Sequence, residues 1–195
     1  MIKIYWFVLA AMFFTLSGTA LAQTWTLDKD HTEIRFDVQH IFSTVSGRFS
    51  DVDAAVVFDQ DRLGDSRFDF TVNVKSIDTF NTKRDTHLRS KDFFNAEMFP
   101  AMRFVSSRIH HVEGNRYTLE GQLTIKDVTR PLQIQFVHHG PKIHPLEKTS
   151  QVAGFDATFT IDRLDYKVGD GRFFKLGVVG NLVHISISTE VLRKN

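Results

Sequence analysis

The chain has 195 residues, 24 Lys and Arg against 23 Asp and Glu, nine His and no Cys. Near-neutrality leaves no net positive field to draw in nucleic acid or an anionic membrane. The missing Cys excludes thiol catalysis, Cys-based zinc sites and lipid attachment through Cys.

Residues 1–22 have the three-part layout of a secretory signal. Lys3 is the lone charge, Ile4 to Leu16 is an apolar run, and small residues lead to Ala20-Leu21-Ala22. The run is shorter than the ~20 residues that a spanning helix needs, which favours a cleaved signal over an uncleaved anchor. Cleavage is expected after Ala22, leaving residues 23–195 as one formally neutral, periplasmic domain with no transmembrane segment. Without disulfides such an exported domain must be held by its core, and this length can bury enough surface.

Beyond the signal, apolar and polar residues alternate. Ile34, Phe36 and Val38 alternate with Glu33, Arg35 and Asp37, and Ala54, Val56 and Phe58 follow less cleanly. The same period of two holds for Phe68 to Val74, Tyr117 to Ile125, Leu132 to Phe136, Ala153 to Ile161 and Val183 to Ile187. It predicts antiparallel strands with one wet and one dry face. Glu113-Gly114-Asn115 reads as a hairpin turn, and Lys126 to Thr129 and Gly169-Asp170-Gly171 as turns or loops. Some eight strands with one dry face make a sandwich or a closed barrel, and only closure removes both sheet edges. Thr82 to Ser90 lacks the alternation and reads as a short surface helix in which Asp85 and Arg89 can pair. Phe93 and Phe94 follow it, either as a lid over the barrel end or as pins of the helix to the core.

Chemical motifs are sparse. His110-His111 and His138-His139 are adjacent pairs, and neighbours on a strand face opposite ways, so neither pair chelates as such. No nucleophile elbow, phosphate loop or dinucleotide fingerprint is present, and the carboxylates are dispersed. The residues name no catalytic group, metal or cofactor, and the reading is a binding protein, not an enzyme. Nineteen Phe residues suit either a large core or a large apolar cavity.

At this point the sequence resembles the YceI family. The resemblance rests on Trp25-Thr26-Leu27-Asp28, His31-Thr32, Gly47-Arg48-Phe49 and Ser76-Ile77-Asp78-Thr79. It continues through Lys83-Arg84-Asp85, His87 to Ser90, Asp92-Phe93-Phe94, Phe99-Pro100, Phe104, Gly121 to Ile125, Val128 to Pro131, Gly154-Phe155 and Ile161-Asp162-Arg163. It implies an all-β, eight-stranded antiparallel lipocalin-like barrel holding an isoprenoid lipid or quinone. Dimers are compatible with such a family. Strand alternation then places Ile34, Phe36, Phe70, Val72, Phe104, Leu119, Leu123, Phe136, Phe155, Phe159 and Ile185 on the lining, with Phe93 and Phe94 at its end. Lys83, Arg84, His87 and Arg89 are candidates for the ligand's polar head. Residues 138–148 depart from the family's pattern; bordering the tunnel mouth, they would alter head-group preference. The two function classes are a carrier or reservoir with one defined ligand, and a stress-related, holdase-like protein with none.

Overall fold

The computed structural model describes residues 24–194, so the expected signal segment and cleavage point lie outside the described residues. Ten strand segments and two helices follow in chain order: β1 (Thr24–His40), β2 (Ser43–Phe49), β3 (Val52–Val57), β4 (Arg67–Asn73), β5 (Ile77–Asp78), α1 (Thr82–Arg89), β6 (Ala101–Glu113), β7 (Arg116–Ile125), β8 (Val128–Ile143), β9 (Ser150–Asp162), α2 (Arg172–Lys175) and β10 (Val179–Lys194). All the pairings are antiparallel.

The segments form a closed eight-stranded ring. β2 and β3 pair with opposite ends of β1 and act as one strand broken at Ser50 and Asp51. β5 likewise extends β4 beyond the turn at 74–76. The ring then runs β4, β6, β7, β8, β9, β10, and β10 returns to β1 from Thr26↔Leu192 to His40↔Val179. The expected barrel and helix are therefore present. Alternation did not reveal β2, whose Ser-Thr-Val-Ser-Gly run is nearly all polar, or the length of β6, whose outer half carries Arg108, His110 and His111.

The two barrel ends differ. At one end Trp25, Phe58, Phe68, Tyr117, Phe136 and Phe155 are buried together. Phe58 meets Tyr117 edge-on at 5.4 Å and Phe155 at 5.3 Å between ring centroids, both favourable aromatic geometries. Trp25 Nε1 donates to the Phe58 carbonyl at 3.2 Å, so its polar atom is satisfied inside the cluster. At the other end Phe49, Ile77, Phe93, Met102, Tyr166 and Val168 pack under α1.

The divergent segment 138–148 sits at one end of the barrel. Most of it continues β8, and the loop beyond Ile143 returns to Ser150, which pairs with Lys194 at the aromatic-filled end, away from α1. His138 points inward there, 5.2 Å from Phe155 and nearly parallel to it, whereas the exposed His139 meets Asp156 at 2.9 Å. Burial, helped by the neighbouring His139, pulls the His138 pKa down from 6.5 to about 4, and its buried Nε2 has no hydrogen-bond partner among the described residues.

The unfolded chain therefore takes up a proton at His138 below pH 6.5 that the folded chain refuses until about pH 4. Stability falls as pH drops through that window, by roughly 2–3 kcal/mol. In urea unfolding at pH 7 and pH 4.5, His138→Phe should lose that share of the acid sensitivity. An unchanged pH dependence in the variant would sink the assignment.

Candidate functional site

The space between the two packed ends is a cavity of about 210 Å³. Its walls follow from the pleat: inward-facing residues of β1, β4, β6, β7, β8, β9 and β10 line it. Phe36, Phe70, Leu123, Ala157, Phe159, Val183, Ile185 and Ile187 face inward yet are only half-buried. They face empty space, which is how a hollow barrel differs from a packed one.

The thirteen apolar residues placed on the lining by alternation and resemblance all border this cavity: Ile34, Phe36, Phe70, Val72, Phe93, Phe94, Phe104, Leu119, Leu123, Phe136, Phe155, Phe159 and Ile185. The lining also includes Val38, Phe49, Phe68, Leu88, Val168, Val179 and Arg163. Phe49 could not be placed from sequence because β2 was not visible, and Val168 and Val179 flank a loop without periodicity.

Phe93 and Phe94 are held firmly at the α1 end. Phe93 stacks on Phe173 at 6.1 Å and 11° and meets His87 edge-on at 5.0 Å. Lys126 Nζ donates to the Phe93 carbonyl at 2.9 Å and the Lys167 carbonyl at 2.7 Å, tying this segment to the β7–β8 turn. Phe94 packs edge-on against Phe49 at 6.1 Å. Both residues therefore pin the segment and wall the cavity at once.

The four candidate head-group residues of α1 are not brought to the cavity wall. Arg84 donates through Nε to the Thr79 hydroxyl at 2.8 Å and through Nη2 to the Thr79 carbonyl at 2.6 Å. Arg89 Nη2 donates to the Ile77 carbonyl at 2.6 Å. His87 meets Asp92 at 3.2 Å, and Lys83 is exposed. The expected Asp85–Arg89 pair is absent: Asp85 is buried and accepts from the Thr79 backbone amide at 2.9 Å and from its hydroxyl. A buried carboxylate is satisfied by such fixed donors, so the β5–α1 link outcompetes the surface pair. Asn81 caps α1 by accepting from the Arg84 amide at 3.1 Å.

Arg163 is the buried cation that sequence reading left unassigned, although it stood in the Ile-Asp-Arg block. It follows β9 directly and is 6% exposed. Nη1 donates to the Val168 carbonyl at 2.7 Å, Nε to Gly180 at 2.8 Å and Nη2 to Val179 at 3.4 Å. Among the described residues no carboxylate lies within 4.0 Å of it. Burial pulls its pKa down, but a guanidinium remains charged. It clamps the 168–180 loop and leaves one positive charge beside an apolar wall.

Gly121 lets the wall be this close. A methyl group there would lie 2.5 Å from the Phe104 ring and 2.5 Å from the Val105 carbonyl oxygen. Gly121→Ala should displace Phe104 and lower stability by roughly 1–3 kcal/mol. A reduced urea midpoint at constant slope is the expected readout; an unchanged midpoint would show that the strand gives way freely.

Outside the cavity, Asp28, His31 and Glu190 place donor atoms within 4.8 Å of one another. His31 Nδ1 meets Asp28 at 2.9 Å, an ion pair that raises the His31 pKa. The three are mostly exposed; local bonds within 28–32 hold His31 beside Asp28, and the β1–β10 register sets Glu190 opposite Asp28. Among the described residues no helix is long and apolar enough to cross a membrane.

Comparison with known proteins gives one family. The profile of the YceI-like domain matches residues 25–191. "Protein YceI" of Salmonella arizonae is 32% identical over 187 residues, covering 94% of each chain. BcnA of Burkholderia cenocepacia superposes with a TM-score of 0.77 at 24% identity, covering 84% of this chain and 98% of that one. A polyisoprenoid binding domain of Saccharophagus degradans, implicated in plant cell wall breakdown, superposes at 0.64 with 13% identity, covering 87% and 98%. The hollow, closed barrel and the sequence match agree over almost the whole described chain, which belongs to the YceI-like domain family.

Proposed function

We propose that the barrel holds one long apolar ligand, an isoprenoid lipid or isoprenoid quinone, as carrier or reservoir in the periplasm. The observation that carries this reading is the cavity lined by half-buried inward Phe, Ile and Val side chains. Filling that space with hydrocarbon removes apolar surface on both partners from water. For each 100 Å² of apolar surface so removed, at about 25 cal/mol per Å², the gain is about 2.5 kcal/mol before the entropic cost of binding. Family membership and the polyisoprenoid binding domain of similar fold support the ligand class. The apolar segment before Ala22 supports export.

The ligand's polar end belongs at the α1 end, where the Arg163 guanidinium borders the cavity. The opposite end is filled by aromatic rings. Nothing in this arrangement requires turnover: the lining offers packing and shelter, so the activity is binding.

The test is native mass spectrometry of protein exported to a bacterial periplasm, followed by solvent extraction and lipid mass analysis. One bound species that extracts as a single isoprenoid is the expected result. A bare protein that takes up no added octaprenyl lipid overturns the reading, and a mixture of unrelated lipids favours the holdase-like role. Ala157→Phe, which projects a ring into the cavity from β9, should reduce uptake at least tenfold with a preserved β-sheet circular dichroism spectrum. Uptake equal to the wild type would place the ligand elsewhere.

A further inference from the structure

We infer that the α1 end of the barrel is a docking surface for a phospholipid membrane with anionic head groups. Three neighbouring segments there expose apolar side chains: the β1–β2 turn, the β5–α1 link and α2. Phe42 is 99% exposed and Phe80 75%, and Ile41, Phe174 and Leu176 are exposed as well. The β1–β2 turn and α2 meet at the cavity's edge, and α1 reaches α2 through His87, whose ring lies 6.2 Å from that of Phe173. Ile41 N donates to the Val178 carbonyl at 3.1 Å, Val178 N donates to the Phe173 carbonyl at 2.9 Å, and Phe173 stacks on Phe93. Val38, Leu88, Phe93 and Val179, just inside, line the cavity. The apolar rim is thus continuous with the apolar interior.

Two of these side chains are placed at a backbone cost. Ile41 has φ +49° and Phe80 φ +59°, a region that bulky and especially β-branched residues avoid. Ile41 is half exposed, and Phe80 buries little beyond its contact with the Arg48 guanidinium, 5.5 Å from the ring centre. Strain spent to present an apolar side chain to water points to a surface that is covered in use.

Charge selects the partner. At this end Asp78 pairs with Arg48 and Asp170 lies 4.0 Å from Arg172, Asp92 meets His87 at 3.2 Å, and the exposed Glu97 has no cation within 4.0 Å among the described residues. Lys83 and Lys175, on α1 and α2, have no carboxylate within 4.0 Å among the described residues. Apolar tips flanked by uncompensated lysines suit the boundary between acyl chains and anionic head groups. The purpose of docking rests on the isoprenoid reading: such a ligand resides in a bilayer, and a mouth seated on the bilayer spares it a passage through water.

The experiment is flotation of the purified protein with vesicles of phosphatidylglycerol and phosphatidylethanolamine, and separately with phosphatidylcholine alone. Wild type should float with the anionic vesicles. Phe42→Ser combined with Phe80→Ser should lower the bound fraction about tenfold at an unchanged or raised thermal midpoint. Leu146→Ser, which removes a 90% exposed Leu from the β8–β9 loop at the opposite end, should bind as wild type does. Lys83→Glu with Lys175→Glu should weaken binding to the anionic vesicles only. No flotation of wild type, or equal flotation of the Phe variant, overturns the inference. So does a wild-type dimer that the Phe variant dissociates without any vesicle binding, since a second copy would then cover the rim. Isoprenoid uptake from detergent micelles separates the two readings: uptake without flotation removes the docking surface alone, and flotation without uptake removes the cavity ligand alone.

Discussion

The pairing of the first strand with the last is the constraint on which the rest depends. β1 and β10 are bonded from Thr26↔Leu192 to His40↔Val179, and this one ladder turns an open sheet into a ring. A ring of eight strands has room inside for side chains and one slender guest. Every inward residue then faces either another inward residue or a void. The aromatic cluster fills one end, the α1 segment covers the other, and the middle is left to Phe36, Phe70, Phe159 and Ile185 with space before them. The cavity is therefore a consequence of closure with too little side-chain volume at mid-height.

Polar groups are kept out of that middle by being used at its margins. Asp85 is turned under the β5–α1 link, Arg84 and Arg89 hold the same link from the side, and Arg163 holds the loop before β10. Each satisfies backbone groups that would otherwise be buried without partners. The segment most specific in sequence, Lys-Arg-Asp to Asp-Phe-Phe, is thus an architectural device at the barrel end. Its charges secure the loop, and its rings face the cavity.

Much of the fold was legible because the wall obeys a period of two. Phe68 to Val74 and Tyr117 to Ile125 announce their faces directly, and that is why the lining could be named from sequence. Legibility failed where the backbone, not the side chain, sets the structure. β2 is polar because one of its faces meets solvent and Gly47 lies beneath the Phe36 ring, so no apolar pattern marks it. The roles of Arg84, Arg89 and Arg163 are contacts to backbone carbonyls between 5 and 17 residues away, and composition carries no trace of such partners. Alternation sets His138 on the inward face of Leu132, Ile134 and Phe136 and His139 on the other, but not how deeply His138 is buried among aromatic rings.

The β1–β10 ladder has a consequence in time as well as in space. The first described strand has β2 and β3 beside it early, but it cannot find its other neighbour until Val179–Lys194, the last described stretch of chain, is present. Until then Leu27, Ile34 and Phe36 have one flank unpaired, and the sheet has two open edges ready to join another chain. Contacts this distant in sequence form slowly. A chain delivered from its N-terminus therefore passes through a long interval as an unsealed sheet, and whatever shields it in that interval acts on β1.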